Sequence, residues 1–145
     1  MIKKKRIFIA SDHGGFELKE KIKKHFLNKN YNLNDIGTNN DKSVDYPDFA
    51  KKLIKKIKTK NDLGILICGT GIGMSIVANR FSHIRAALCH NEFEAKMSRN
   101  HNDANVLCIG ARVIGDELAY SILNTFIKEN FDGTRHTKRI KKINL

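Results

Sequence analysis

Short apolar runs alternate along the chain with longer stretches in which apolar residues recur every three or four positions. Each short run is typical of a buried β-strand, and the longer spacing is typical of a helix with one face in the core. Leu18, Ile22 and Phe26 mark one such helix, and Pro47 can begin another because its fixed φ suits a first turn. The repeated switch between the two periods indicates βα units around a parallel sheet. The predicted strands are Arg6 to Ala10, Tyr31 to Ile36, Leu63 to Ile67, Arg85 to Cys89 and Val106 to Ile109.

We therefore predict one α/β domain over residues 1–145, a doubly wound, Rossmann-like sheet of five parallel strands with helices on both faces. In such sheets, ligands bind beyond the carboxyl ends of the strands, near the point where the strand order reverses. Four loops follow predicted strand ends, and we expect them to share one cleft. These loops are Ser11 to Gly15, Cys68 to Gly73, the segment from His90 onward, and Gly110 to Arg112.

The loop after the third predicted strand carries the strongest chemical signal. It reads Cys68-Gly69-Thr70-Gly71-Ile72-Gly73, so a thiol stands beside a turn of three glycines. Glycine lets the backbone approach a ligand closely, and the N–H groups at a helix start favour an anion. Neither a dinucleotide fingerprint nor a P-loop fits, because no acidic residue ends the next strand and no Gly-Lys-Ser/Thr follows. A small anion site beside a reactive thiol is the functional interpretation, and a cysteine that only fills the core is the alternative.

Polar residues elsewhere are candidates for the same site, and each has a structural alternative. Asp12 and His13 follow the first strand, where Asp12 would serve equally well as a helix cap. His101 lies in a polar loop, where a histidine is usually just solvated. Arg135 and Arg139 are four residues apart, so on a helix they would share a face and bind a phosphate together; the alternative is a basic tail.

Composition restricts the broad class of the 145-residue chain. Hydrophobic residues make up 41% and charged residues 29%. No apolar run approaches the ~20 residues of a membrane span, and Ile7 to Ala10 is too short for a secretory signal, so we expect a cytoplasmic protein. The three cysteines lack the spacing of zinc ligands, which predicts no metal, and Cys89 and Cys108 are expected in the core.

The formal net charge of +12 raises the question of an anionic partner. Clustered lysines and arginines bind nucleic-acid backbones, but here the lysines are scattered over predicted helices, and a solvated surface is the favoured interpretation. Only the run from Arg135 to Lys142 concentrates the charge enough to bind an anion. We expect no nucleic-acid partner and no membrane partner. A basic nucleic-acid-binding protein is the alternative from a different functional class.

Five motifs, taken in order, resemble those of the B-type ribose-5-phosphate isomerases over nearly the whole chain. Their combined order and spacing are specific for this family, which also includes allose-6-phosphate and galactose-6-phosphate isomerases. The resemblance implies an aldose–ketose isomerase, without metal or cofactor, that interconverts ribose 5-phosphate and ribulose 5-phosphate in the pentose phosphate pathway. The motifs are Ser11 to Gly15, Asp45 to Pro47, Ile67 to Gly73, Ser98 to Leu107 and Gly133 to His136.

The same resemblance implies a role for each candidate residue. Cys68 would be the general base, His101 would open the sugar ring, and Asp12 would contact sugar hydroxyls. Met74 stands where another branch of the family has a glutamate base, which indicates the cysteine branch. The other implied contacts are Thr70, Gly71 and Gly73 at the enediolate, Gly69 and Ile72 in the same turn, Asn102 lining the site, and His13, Arg112, Arg135 and Arg139 at the phosphate.

Members of the family are dimers or tetramers, so the resemblance also implies a homodimer or homotetramer with shared active sites. His101 or the C-terminal basic segment, residues 132–145, would reach the cleft of a neighbouring subunit. The chemistry agrees, because removing a proton beside a carbonyl creates an oxyanion that the N–H groups of the glycine turn can stabilise. A histidine exchanges protons near neutrality, as ring opening requires. Two alternatives stay open: isomerisation of a six-carbon sugar phosphate, and a catalytically inactive regulatory subunit of the same fold.

Overall fold

Five parallel strands form one sheet in the order β2-β1-β3-β5-β4, within residues 4–144 that the computed structural model describes. Residues 1–3 and 145 of the predicted domain lie outside the described part. The predicted α/β class and all five strands are confirmed, with ends that differ by at most one residue. The strands are β1 Arg6–Ser11, β2 Asn32–Asp35, β3 Asp62–Cys68, β4 Ala86–Leu88 and β5 Val106–Gly110.

Helices cover both faces of the sheet, and their apolar positions explain which face each one covers. Leu18, Ile22 and Phe26 of α1 pack in one core cluster together with residues of α4 and α5. Residues of α2 and α3 pack in a second cluster on the opposite face. Pro47 is within the first turn of α2, as predicted. The helices are α1 Phe16–Phe26, α2 Tyr46–Ile54, α3 Ile72–Ala78, α4 Glu92–Asn100, α5 Asp116–Lys128 and α6 Arg135–Lys141.

The central strand β3 divides the core in two. All seven of its residues are buried, and its side chains alternate, with Ile65 and Ile67 in one cluster and Leu66 and Cys68 in the other. An internal strand of a parallel sheet is buried on both faces because helices cover each side of the sheet. Cys89 and Cys108 are 2% and 0% exposed, which confirms their expected place in the core.

The strand order reverses between β1 and β3, since β1 leads to β2 on one side and β3 leads to β4 and β5 on the other. The carboxyl ends of β1 and β3 therefore border the crevice where parallel sheets bind ligands. Helix α4 returns the chain from the carboxyl edge of β4 to the amino edge of β5. Within residues 4–144, no helix is long and apolar enough to cross a bilayer.

Candidate active site

Cys68 ends β3 on the floor of the crevice, with 6% of its surface exposed. The glycine turn begins at the next residue and leads directly into α3, which starts at Ile72. The backbone N–H of Gly71 donates a hydrogen bond to Sγ of Cys68 over 3.1 Å. The turn therefore places a main-chain donor directly on the sulfur.

Gly71 holds the turn in a conformation that other residues rarely adopt. Its φ is +78°, and a Cβ at this position would lie 2.6 Å from Leu88 Cδ1 and 2.9 Å from the carbonyl carbon of Ile109. The backbone therefore needs glycine for two reasons, the left-handed φ and the absence of space. Because the N–H of Gly71 contacts the sulfur, the same glycine controls the geometry around Cys68.

We predict that Gly71→Ala destabilises the protein by at least about 1–3 kcal/mol, the usual cost of a strained non-glycine residue. Gly115→Ala is the matched control, because φ at Gly115 is −80° and a Cβ there meets no atom within 4 Å. Urea unfolding of both variants measures the difference. Equal midpoints for Gly71→Ala and Gly115→Ala would contradict the interpretation of the turn.

Asp12, Gly69 and Arg112 meet around Gly14 beside the glycine turn. A Cβ on Gly14 would lie 3.3 Å from Oδ1 of Asp12, 3.3 Å from the amide nitrogen of Gly69 and 3.6 Å from Nη2 of Arg112. Asp12 also caps the short 3-10 helix that follows it, because its Oδ1 accepts the N–H of Gly15 over 3.1 Å. The capping alternative for Asp12 is thus confirmed, and its carboxylate and the guanidinium of Arg112 both border Gly14.

The loop before α2 contacts residues of the same edge of the sheet, His13 and Gly73, and no role was assigned to this loop from the sequence. The N–H of Val44 donates to Nδ1 of His13 over 3.2 Å, so the neutral imidazole carries its proton on Nε2 and offers a donor there. A Cβ on Gly73 would lie 2.7 Å from the ring of Tyr46, which is 40% exposed. The motif Asp45-Tyr46-Pro47 was the available signal, since an aromatic residue at a helix start needs a surface to pack against.

A second group of candidate residues lies around a groove of about 340 Å³ that is lined by His101, Asn102, His136 and Arg139. The rings of His101 and His136 stack at 4.2 Å with 14° between their planes. His136 is 6% exposed, and burial lowers its pKa, with further lowering by His101, so this ring stays neutral at neutral pH. Arg135 and Arg139 lie on α6, as a shared phosphate-binding face requires.

The two groups lie at opposite edges of the sheet within one chain. Cys68 pairs with Gly110 at the carboxyl end of β5, whereas His101 and Asn102 precede Val106 at its amino end. A five-residue strand spans roughly 15 Å. One chain therefore brings together the Cys68 turn, Asp12, His13 and Arg112, and it does not bring His101, Asn102, Arg135 or Arg139 to them.

We predict that, of the three thiols, iodoacetamide at pH 8 labels Cys68 alone. Burial, followed by the charge of Glu94, raises the pKa of Cys89 to about 12, and burial also raises the pKa of Cys108. Both groups therefore stay protonated at pH 8, and thiols react as thiolates. Intact-protein mass spectrometry should find one added group in the wild type and none in Cys68→Ser. Labelling that persists in Cys68→Ser would contradict this assignment.

Comparison with known proteins identifies the family. The family model described as Ribose/Galactose Isomerase matches residues 7–143. Ribose-5-phosphate isomerase B of Escherichia coli is 41% identical over 140 residues, covering 96% of this chain and 94% of that protein. Ribose-5-phosphate isomerase B structures from Thermotoga maritima and Clostridium thermocellum both match with a TM-score of 0.91. The Thermotoga maritima protein is 53% identical to this chain, and the match covers 94% of this chain and 95% of that protein. The Clostridium thermocellum protein is 48% identical to this chain, and the match covers 95% of this chain and 94% of that protein. As its five motifs indicated, the chain belongs to the ribose/galactose isomerase family.

Proposed function

We propose that this protein is a ribose-5-phosphate isomerase that uses Cys68 as its general base. The observation that carries the proposal is the hydrogen bond from the N–H of Gly71 to the sulfur of Cys68. The same edge of the sheet also holds a guanidinium, Arg112, and an imidazole, His13. A base beside oxyanion donors suits proton abstraction next to a carbonyl, and cationic donors nearby suit a phosphate. Ribose-5-phosphate isomerase B is also the name of the Escherichia coli relative.

The proposed reaction moves one proton between two neighbouring carbons. The Cys68 thiolate takes the proton from C2 of the open-chain aldose, and the electron pair of that bond forms the enediolate with negative charge on O1. The amides of Thr70 and Gly73 would face this charge, while the N–H of Gly71 stays on the sulfur. Each well-placed donor typically lowers the barrier by about 3–4 kcal/mol. The thiol then returns the proton to C1, while the hydroxyl proton of O2 moves to O1, which leaves the carbonyl at C2.

His101 and the α6 arginines enter this proposal from a second copy of the chain. Opening the furanose requires an acid and a base, which His101 can supply near neutral pH. The phosphate would lie between His13 and Arg112 of one subunit and Arg135 and Arg139 of the other. Because one chain holds the two groups at opposite edges of its sheet, two copies related by a two-fold axis would form two equivalent sites.

An exposed apolar face at the cleft supports such a pairing. Ile72 and Ile76 are 51% and 60% exposed and are one turn apart on α3, so they share a face. Helix α3 begins where the glycine turn ends. A second copy that covers these two isoleucines would lie directly beside Cys68. The proposal requires His101 and the α6 arginines of the second copy at this position.

The proposal also specifies a five-carbon substrate, and comparing kcat/KM for five-carbon and six-carbon sugar phosphates tests this choice. We expect ribose 5-phosphate to be turned over with a higher kcat/KM than allose 6-phosphate or galactose 6-phosphate in a coupled assay. A clear preference for a six-carbon substrate would replace the pentose by the alternative of a hexose-phosphate isomerase with the same mechanism. Turnover of none of the three would favour the catalytically inactive alternative.

A further inference from the structure

A basic trough lies at the amino edge of the sheet, across the molecule from Cys68. It consists of two cavities of about 480 Å³ and 340 Å³ that both include Thr59 in their walls. Ligand pockets commonly measure about 300–1,000 Å³, so the larger cavity alone can hold a small molecule. Six cationic residues line the trough, namely Lys4, Arg6, Lys58, Lys60, Arg85 and Arg99.

Among residues 4–144, two carboxylates form ion pairs with the cations of the trough, and one of them is already fully engaged. Asp62 is 0% exposed and accepts two hydrogen bonds from Arg6, at 2.7 and 2.9 Å. It also accepts the backbone N–H groups of Lys58 and Thr59, each at 2.8 Å. Across residues 4–144, the ammonium groups of Lys58 and Lys60 have no carboxylate partner.

The other carboxylate, Asp103, is shared by two guanidinium groups. It pairs with Arg85 at 3.0 Å and with Arg99 at 3.6 Å, and its backbone has a φ of +46°. Arg99 is 6% exposed, and burial lowers its pKa, Asp103 raises it, and the charge of Arg85 lowers it further. Positive charge at this end of the trough therefore exceeds the negative charge that neutralises it.

We propose that this trough binds a nucleoside diphosphate or triphosphate. Its phosphates would lie against Lys58, Lys60 and Arg85, because phosphate oxygens provide the acceptors that the two lysines lack and can compete with Asp103 for Arg85. Phe131 lines the same cavity and is partly exposed, so its ring offers an apolar surface on which a base can stack. The combination of excess positive charge and an aromatic wall fits a nucleotide better than inorganic phosphate alone.

Binding at the trough would change the loop that carries His101. Nε of Arg85 donates to the carbonyl oxygens of Asn102 and Asp103 at 2.9 and 3.1 Å. A phosphate group that draws Arg85 away from these carbonyls releases the segment next to His101. Because the phosphates would lie against Lys58, Lys60 and Arg85, and not against the residues proposed to hold the substrate phosphate, the ligand lowers kcat without competing for substrate. The kinetic effect rests on the proposed function, and the binding itself does not.

Isothermal titration calorimetry with ADP tests the binding site in the presence of saturating ribose 5-phosphate, so that phosphate sites at the cleft are filled. The test variant is Lys58→Gln/Lys60→Gln, and the matched control is Lys55→Gln/Lys56→Gln, two exposed lysines outside the trough. We expect the Kd for ADP to rise at least about tenfold in the first variant, since hydrogen bonds to charged groups are lost, and to stay unchanged in the control.

Pyrophosphate and adenosine test the contributions of the phosphates and of the nucleoside to ADP binding separately. Pyrophosphate should bind more weakly than ADP, and adenosine should not bind measurably. Absence of ADP binding to the wild type, or equal Kd values for ADP in all three proteins, would overturn the proposal. Equal affinity for pyrophosphate and ADP would overturn the nucleoside part. A random oligonucleotide that binds more tightly than ADP through the same two lysines would assign the trough to nucleic acid instead.

Kinetics test the link to His101 separately. At saturating ribose 5-phosphate, ADP should lower kcat of the wild type and of Lys55→Gln/Lys56→Gln, and it should leave kcat of Lys58→Gln/Lys60→Gln unchanged. Purely competitive inhibition of the wild type would overturn the link while the calorimetric result stands. If the protein does not isomerise ribose 5-phosphate at all, calorimetry still decides whether the nucleotide binds.

Discussion

Replacing Cys68 with serine is expected to lower kcat for ribose 5-phosphate by about 10³-fold, within the range of about 10²–10⁴ that a general base contributes. Serine keeps the shape of the side chain and can still accept the hydrogen bond from the N–H of Gly71. Its hydroxyl, however, does not ionise at neutral pH and cannot take a proton from carbon. KM should change little, because Arg112 and His13 remain in place. A coupled spectrophotometric assay measures both constants.

Cys108→Ala is the control for this substitution. Cys108 is 0% exposed and lies in the same core cluster as Cys68, on the neighbouring strand β5. Removing its thiol should lower stability without a comparable loss of kcat. A folded Cys68→Ser protein with a wild-type kcat would contradict the cysteine-base mechanism. A parallel fall of kcat in both variants would indicate damage to the core and not loss of a base.

Hydrophobic periodicity was sufficient to predict the sheet, because internal parallel strands are apolar on both faces. Strand β3 illustrates this, since all of its residues are buried. The prediction was too long at the edges of the sheet, where the six residues from Tyr31 to Ile36 were assigned to β2, and too short for the internal strands. The structure forms only Asn32–Asp35 as strand, with exposed residues at both ends. An edge strand has one neighbour and partial burial, so its apolar pattern is weaker.

The sequence predicted the Cys68 side of the site for a topological reason, since residues that follow parallel strands reach the same edge. Three of the four predicted loops meet there, as the contacts around Gly14 demonstrate. Tyr46 had no assigned role because its packing on Gly73 joins two segments far apart in sequence. The position of His101 at the opposite edge depends on the direction of α4 and on the strand order, which hydrophobic pattern alone does not give.

Loss of the His101 imidazole is the second large effect that we expect. His101→Asn should lower kcat by about 10²-fold, since general acid–base groups contribute at least this much. Asparagine retains a polar planar group beside the ring of His136, so the thermal midpoint should stay close to that of the wild type. The effect should appear with the ring-closed substrate at neutral pH. An unchanged kcat would remove His101 from the mechanism and leave the Cys68 cleft as the whole site.

The central claim is that one subunit supplies Cys68 and another supplies His101 to the same site, and mixing two inactive variants tests it most directly. Cys68→Ser and His101→Asn chains, co-expressed in equal amounts, should assemble at random. Each site then receives its cysteine and its histidine independently, so about a quarter of the sites contain both native residues. The account predicts that the mixture recovers about a quarter of wild-type activity. Activity no higher than that of the separate variants, in mixed oligomers verified by mass spectrometry, would contradict it.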